Sequence, residues 1–158
     1  MTTPKPTLNL TTKPETVTWP ETHYVYLEKV GPFQQTAPQA WDEFQKLIPA
    51  ICEHNQVNSY TSLYKVGPQI YRAGVGLASE PKNLPPGLQY TKFPGGKYAR
   101  FTFTGPYTNL PEASGRVFEM VKDQKLPVRD DFHIENYLND PRTTPAPDLI
   151  TQILVPSR

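Results

Sequence analysis

"WPETHYVYLEKVGPFQQTAPQAWDEF", residues 19–44, occurs in this chain a second time in altered form. Residues 93–118, "FPGGKYARFTFTGPYTNLPEASGRVF", align with it without a gap at an offset of 74 residues, Gly31 falling on Gly105. Pro20 falls on Pro94, Tyr24 on Tyr98, Pro32 on Pro106 and Phe44 on Phe118. Trp19 meets Phe93 and Phe33 meets Tyr107, so aromatic character is kept where identity is not. The period exceeds that of the small solenoid repeats, which points to a duplicated half-domain.

Each copy reads in the same order. A stretch rich in aromatic and β-branched residues comes first, Tyr24 to Val30 and then Tyr98 to Thr104, as a strand requires. A Gly-Pro pair ends it, because proline cannot continue a central ladder. Apolar residues at helical spacing follow: Ala37, Trp41, Phe44, Leu47, Ile48 and Ile51 in one copy, Leu110, Ala113, Val117, Met120 and Val121 in the other. These predict helices near 36–53 and 109–124. Two strands then complete each copy, "SYTSLYKVG" with "IYRAGVGLA", and "FHIENYL" with "DLITQILVP". The expectation is an α+β fold of duplicated βαββ units with pseudo-twofold symmetry, two helices on one side of a sheet system and a concave surface on the other. Its halves are residues 15–83 and 84–158. Residues 1–14, rich in Thr and Pro and without periodicity, are expected to form a mobile arm.

Composition narrows the function. With 16 Lys+Arg against 15 Asp+Glu the net charge is +1, which supplies no basic footprint for direct nucleic-acid binding. The 19 prolines and a mean hydropathy of −0.56 indicate a loop-rich chain. The single cysteine, Cys52, excludes an intrachain disulfide and suits a reducing compartment; beside Ile51 it reads as a small buried residue. No run approaches a membrane span and the N-terminus lacks a signal-peptide core, so a cytoplasmic protein is expected. His23, His54 and His133 have no metal-ligand spacing, and no metal or cofactor is expected.

In "FHIENYL" the alternation puts Phe132, Ile134 and Leu138 on one, core-facing side and His133, Glu135 and Tyr137 on the other. Glu135 is either a solvated strand carboxylate or part of a site. Tyr137 either bonds a ligand or covers the sheet. In the first strand Val25 and Leu27 should meet the helix, turning Tyr24 and Tyr26 towards a cleft or its rim. Tyr71 suits core or edge packing, or the site. Trp41 suits a core anchor, and touches ligand only where its helix borders the cleft.

Three segments together, "GLQYTKFPGGKYARFTFTGPY" (87–107), "ENYLNDP" (135–141) and "TQILVP" (151–156), resemble the gyrase-inhibitor-like (GyrI-like) small-molecule-binding domain. The same domain is the effector-binding part of many AraC-type and MerR-type transcription regulators. The resemblance covers roughly residues 15–158 and implies two βαββ units with a central ligand cleft lined by aromatic side chains. Hydrophobic, often cationic, molecules bind there, and Glu135 holds the position of the cleft carboxylate. The ligand-binding set implied is Glu135, Tyr137, Tyr26, Tyr24, Tyr71 and Trp41. Two departures remove ionisable groups: Gln152 follows Thr151 where many members carry Glu, and Phe103 stands where many carry His. The leading expectation is a stand-alone binding protein that senses or sequesters its ligand, since residues before 15 cannot form a helix-turn-helix. A hydrolase of cyclopropane-containing electrophiles, with Glu135 and Tyr137 or Tyr26 as acid and base, is the second. An inhibitor of a larger protein partner is the third, and a homodimer stays open.

Overall fold

The structure, a computed structural model, describes residues 8–158. In chain order its elements are β1 (Asn9–Leu10), β2 (Glu15–Trp19), β3 (Thr22–Val30), α1 (Phe33–Gln45), α2 (Ile48–His54), β4 (Val57–Lys65), β5 (Ile70–Leu77), β6 (Gln89–Phe93), β7 (Gly96–Thr104), α3 (Leu110–Asp123), β8 (His133–Tyr137) and β9 (Ile150–Pro156). All nine strands join one antiparallel sheet, in the order β1-β7-β9-β8-β4-β5-β3-β6, with β2 also on β7. The two βαββ units are therefore β3–β5 and β7–β9 with their helices. They meet along β4 and β8, where Leu63 stands directly opposite Ile134.

The halves exchange their edges. β2 precedes the first unit in sequence but pairs with β7 of the second, Trp19 opposite Gly96 and Glu15 opposite Arg100. β6 precedes the second unit but pairs with β3 of the first, Phe93 opposite Thr22 and Gln89 opposite Tyr26. Moved by the 74-residue offset that superimposes Gly31 on Gly105, the first ladder becomes the second pair for pair. The links from β2 to β3 and from β6 to β7 pass each other closely. Gly95 sits there at φ +75°, and a Cβ on it would lie 2.1 Å from the Trp19 carbonyl oxygen.

Three cores follow. α1 and α2 bury Ala40, Phe44 and Ile51 against Val25, Ala73, Val75 and Leu77. α3 buries Ala113 and Val117 against Phe101, Phe103, Ile153 and Val155. Each large side chain so buried stabilises the fold by about 1.5–3 kcal/mol. The two helices sit over the flanking strands, and β4 and β8 lie beneath the gap between them. The third core fills the opposite face with Tyr24, Tyr26, Leu63, Phe93, Tyr98, Ile134 and Leu154. The repeated tyrosines do equivalent work there. Tyr24 donates to the Thr61 carbonyl and Tyr98 to the Phe132 carbonyl, both at 2.9 Å, each acceptor two residues before Leu63 or Ile134.

Several expectations change. The face opposite the helices is filled and not left open, because Val17 and Trp19 of β2 and Phe93 of β6 pack with the tyrosines on it. The helix expected over 36–53 divides at Lys46–Leu47, since Pro49 has no N–H for the preceding turn. The mobile arm expected over 1–14 does not hold for its described part. Asn9–Leu10 pairs with Thr104 and Phe103, and Leu8 and Leu10 pack on the third helix's core. Residues 1–7 of that arm lie outside the described residues. Cys52 is exposed, as is Leu138, where β8 has already ended. Among the described residues no helix is long and apolar enough to cross a membrane.

Candidate functional site

The gap between α1 and α3 is floored by one face of β4, β5 and β8. Strand alternation brings Ser62 and Tyr64 of β4, Tyr71 of β5, and His133, Glu135 and Tyr137 of β8 to that face. Ser62 stands opposite Glu135 in register, and Tyr64 opposite His133. α1 contributes Trp41 and α3 contributes Ser114. Tyr107, in the short 3₁₀ turn before α3, leans edge-on to Tyr137 at 5.4 Å.

A hydrogen-bonded chain runs across this floor and ends on a carboxylate. Tyr137 donates to Glu135 Oε1 at 2.9 Å, and Ser114 donates to Oε2 at 3.2 Å. Ser62 Oγ lies 2.7 Å from the Tyr137 hydroxyl and 2.7 Å from the Tyr71 hydroxyl. The Trp41 indole donates to Ser62 Oγ and to the Tyr71 oxygen, both at 2.9 Å. Each hydroxyl has one proton, so the direction is determined. Tyr137 gives its proton to the ionised carboxylate, Ser62 gives to Tyr137, and Tyr71 and Trp41 give to Ser62. The dipoles all point towards Glu135.

Burial sets the electrostatics. Glu135 keeps part of its surface accessible, yet desolvation raises its pKa, and the Tyr137 and Ser114 hydrogen bonds pull it back. Burial, followed by the Glu135 charge, raises the phenol pKa values of Tyr137, Tyr71 and Tyr64, which stay neutral donors. His133 is pushed down to about 4 by burial and is a neutral imidazole at pH 7. It stacks on Tyr64 at 5.4 Å and meets the edge of Phe118 at 5.3 Å.

Of the six sequence-derived ligand residues, the geometry gathers four: Glu135, Tyr137, Tyr71 and Trp41. Tyr24 and Tyr26 lie on the opposite face of the sheet, stacked on each other at 5.4 Å within the third core. Their strand points Val25 at α1, as expected, but the other face of β3 meets the filled core and not a cleft. Tyr26 is further capped by the Arg72 guanidinium, 4.3 Å from its ring centre. The reading missed Ser62, Ser114, Tyr64 and Tyr107. Tyr107 carried a signal, because it aligns with Phe33, whose ring meets Tyr64 and Tyr71 from the first unit. The serines carried none.

The cleft is filled by its own rings, Trp41 lying edge-on to Tyr137 at 5.5 Å. Two open depressions of about 540 and 330 Å³ are present, one along β3, α1 and Pro86–Gly87, the other at the end of the floor beside Lys65, Arg129 and His133. Neither includes Glu135. Among the described residues no group of three His, Cys, Asp or Glu side chains could hold a metal ion.

A repeated βαββ fold around one partly buried carboxylate and a set of aromatic rings defines a class of ligand-binding domain. The GyrI-like small molecule binding domain family matches residues 12–158, and the chain belongs to it. No curated protein matches the sequence. Solved structures share the fold at low identity. The C-terminal domain of EcmrR has a TM-score of 0.74 at 15% identity, over 92% of this chain and 97% of that one. SAV2435 bound to tetraphenylphosphonium has a TM-score of 0.68 at 13% identity, over 92% and 94%. A hydrolase from Listeria innocua has a TM-score of 0.60 at 12% identity, over 92% of both chains.

Proposed function

We propose that this protein binds a hydrophobic, cationic aromatic small molecule in the gap between α1 and α3, and that it senses or sequesters that molecule. The observation that carries the reading is the Glu135 carboxylate, desolvated yet flanked by the rings of Tyr137, Tyr71 and Trp41. A carboxylate held at raised pKa is destabilised in the unliganded protein, and a cation admitted as the Trp41 and Tyr137 rings part relieves that cost. Desolvated aromatic faces add about 0.5–2 kcal/mol each to a cation and nothing comparable to an anion. Family membership and the tetraphenylphosphonium held by SAV2435 support the same ligand class. Calorimetric titration with tetraphenylphosphonium and with tetraphenylborate, its anionic isostere, tests it. The cation should bind and the anion should not. Equal affinity for the two would overturn the reading.

One observation favours a second reading, hydrolysis. The Tyr137–Glu135 pair, with a carboxyl pKa raised by burial and a phenol that stays protonated, has the parts of a general acid–base couple. A fold shared with the Listeria innocua hydrolase agrees with it. Incubation with cyclopropane-containing electrophiles followed by mass spectrometry separates the readings, since turnover leaves a hydrated product and binding leaves the compound intact.

A further inference from the structure

The repeat extends upstream of its paired strands, and there the two units part. At the same offset of 74 residues, Asn9 and Leu10 fall on Asn83 and Leu84. In the second unit Asn9 and Leu10 pair with Thr104 and Phe103. Thr11 completes that edge: its N–H donates to the Thr102 carbonyl at 3.0 Å, and its Oγ1 accepts from the Thr102 N–H at 2.9 Å. In the first unit β6 covers β3 only from Thr22 to Tyr26. Among the described residues no strand lies beside the outer edge of residues 27–30, the equivalents of 101–104. Glu28 is the counterpart of Thr102, so its N–H and C=O point out of this open edge. Asn83 and Leu84 do not supply the missing strand. Asn83 takes a left-handed φ of +51°, and Pro85 and Pro86 have no N–H to give. The place that β1 fills beside β7 is, beside β3, the open depression of about 540 Å³. Leu27, Glu28 and Lys29 line it with Lys46 and Leu47 at the end of α1 and with Pro86.

We propose that this edge is a docking site for another protein, which adds an extended segment to β3 as β1 is added to β7. The segment runs antiparallel to β3, as β1 runs to β7. Charge narrows what it carries. Glu28 is paired with Arg72 at 2.9 Å and Lys29 with Glu43 at 2.6 Å, which leaves Lys46 as the lining cation without an ion-pair partner among the described residues. α1 turns back along β3, so Lys46 sits towards Leu27, where an antiparallel segment brings its C-terminal end. The occupant is therefore an extended segment with an acidic residue at its C-terminal end. A second copy of this chain fits the edge poorly. Facing residues of an antiparallel pair share a side of the sheet, so β3 paired with itself here sets Glu28 on Glu28 or Lys29 on Lys29. Like charges directly opposite are destabilising. Glu135 and its rings take no part in this site.

Fluorescein-labelled peptides and the full chain test this by anisotropy. The probe is TLNLTE, residues 7–12 of this chain with glutamate in place of Thr12, since Asn9, Leu10 and Thr11 already lie on the equivalent edge. It should bind, and TLNLTK should bind about two- to fivefold more weakly, as an exposed ion pair allows. Lys46→Glu, at an exposed position, should reverse that order. TLNLTE N-methylated at its fifth residue, the counterpart of Thr11, should bind about tenfold more weakly, because it has lost the amide proton for the Glu28 carbonyl. With TLNLTE bound, amide exchange followed by NMR should slow at Glu28 and stay unchanged at Thr102. Absence of binding by either peptide, binding indifferent to N-methylation, or an order that survives Lys46→Glu overturns the proposal. Slowed exchange at Thr102 in place of Glu28 overturns it too, by showing that the peptide has replaced β1 on β7. So does dimerisation in sedimentation that TLNLTE reverses, which would put a second copy on the edge.

Discussion

Tyr137 donates to Glu135 Oε1 at 2.9 Å from two residues along the same strand. A strand separates such residues by about 7 Å and turns them to one face, so the phenol must fold back along β8 to reach the carboxylate. That contact decides the direction of every hydroxyl behind it. Ser62 is left to give its proton to Tyr137, and its own oxygen is free to receive from Tyr71 and Trp41.

Ser62, fully buried, is the junction of this chain. Ser62→Ala leaves Tyr137 without the donor behind it and removes one acceptor from both Tyr71 and Trp41. Stability should fall by about 1–3 kcal/mol in urea melts, as for buried polar groups left unpaired. Trp41 still reaches Tyr71, so the fold should persist. No change in the melt would show that the chain contributes nothing to stability.

His133 should govern acid sensitivity. Its pKa in the folded protein, about 4, lies below the ordinary 6.5, so the unfolded chain takes up a proton first as pH falls. The stability linked to it is present above pH 6.5 and is lost as pH falls from 6.5 towards 4, on the order of 2–3 kcal/mol. His133→Phe, which can still stack on Tyr64, should flatten the profile over that window. An unchanged slope in denaturant melts from pH 7 to 4 would assign the acid loss to other groups.

Leu8 and Leu10 rest on the α3 core beside Phe103. Leu8→Ala with Leu10→Ala should lower stability by about 1–3 kcal/mol, since each side chain is only partly covered. A neutral double variant would mean that this segment adds nothing to the edge of β7.

Much of the fold was legible because duplication leaves a strong internal signal. Gly31 and Gly105, with Tyr24 and Tyr98, set the offset, and the order strand, helix, strand, strand followed from local pattern. The exchanged edge strands were not legible. "ETVTW" and "QYTKF" are short and bounded by proline, and nothing local says that each pairs with the other half. Alternation in β8 correctly separated Glu135 from Ile134 but could not say which face the helices cover, because both faces of this sheet are buried. Tyr24 and Tyr26 therefore went to the site on paper and to the core in the structure. Ser62 and Ser114 stayed invisible, since a serine has no period and its meaning lies in what it bonds.

The measurement that tests the account most directly is the affinity of Glu135→Gln for tetraphenylphosphonium and for tetraphenylborate, by calorimetry across pH. Because burial raises the Glu135 pKa, wild-type affinity for the cation should weaken as pH falls through that raised value and the carboxyl gains its proton. Glu135→Gln should bind the cation more weakly by about 1–3 kcal/mol at pH 7 and show no such pH dependence, while the anion is bound no worse than before. A variant that keeps wild-type affinity for the cation, or loses both ions equally, would contradict the claim that this carboxylate selects the ligand's charge.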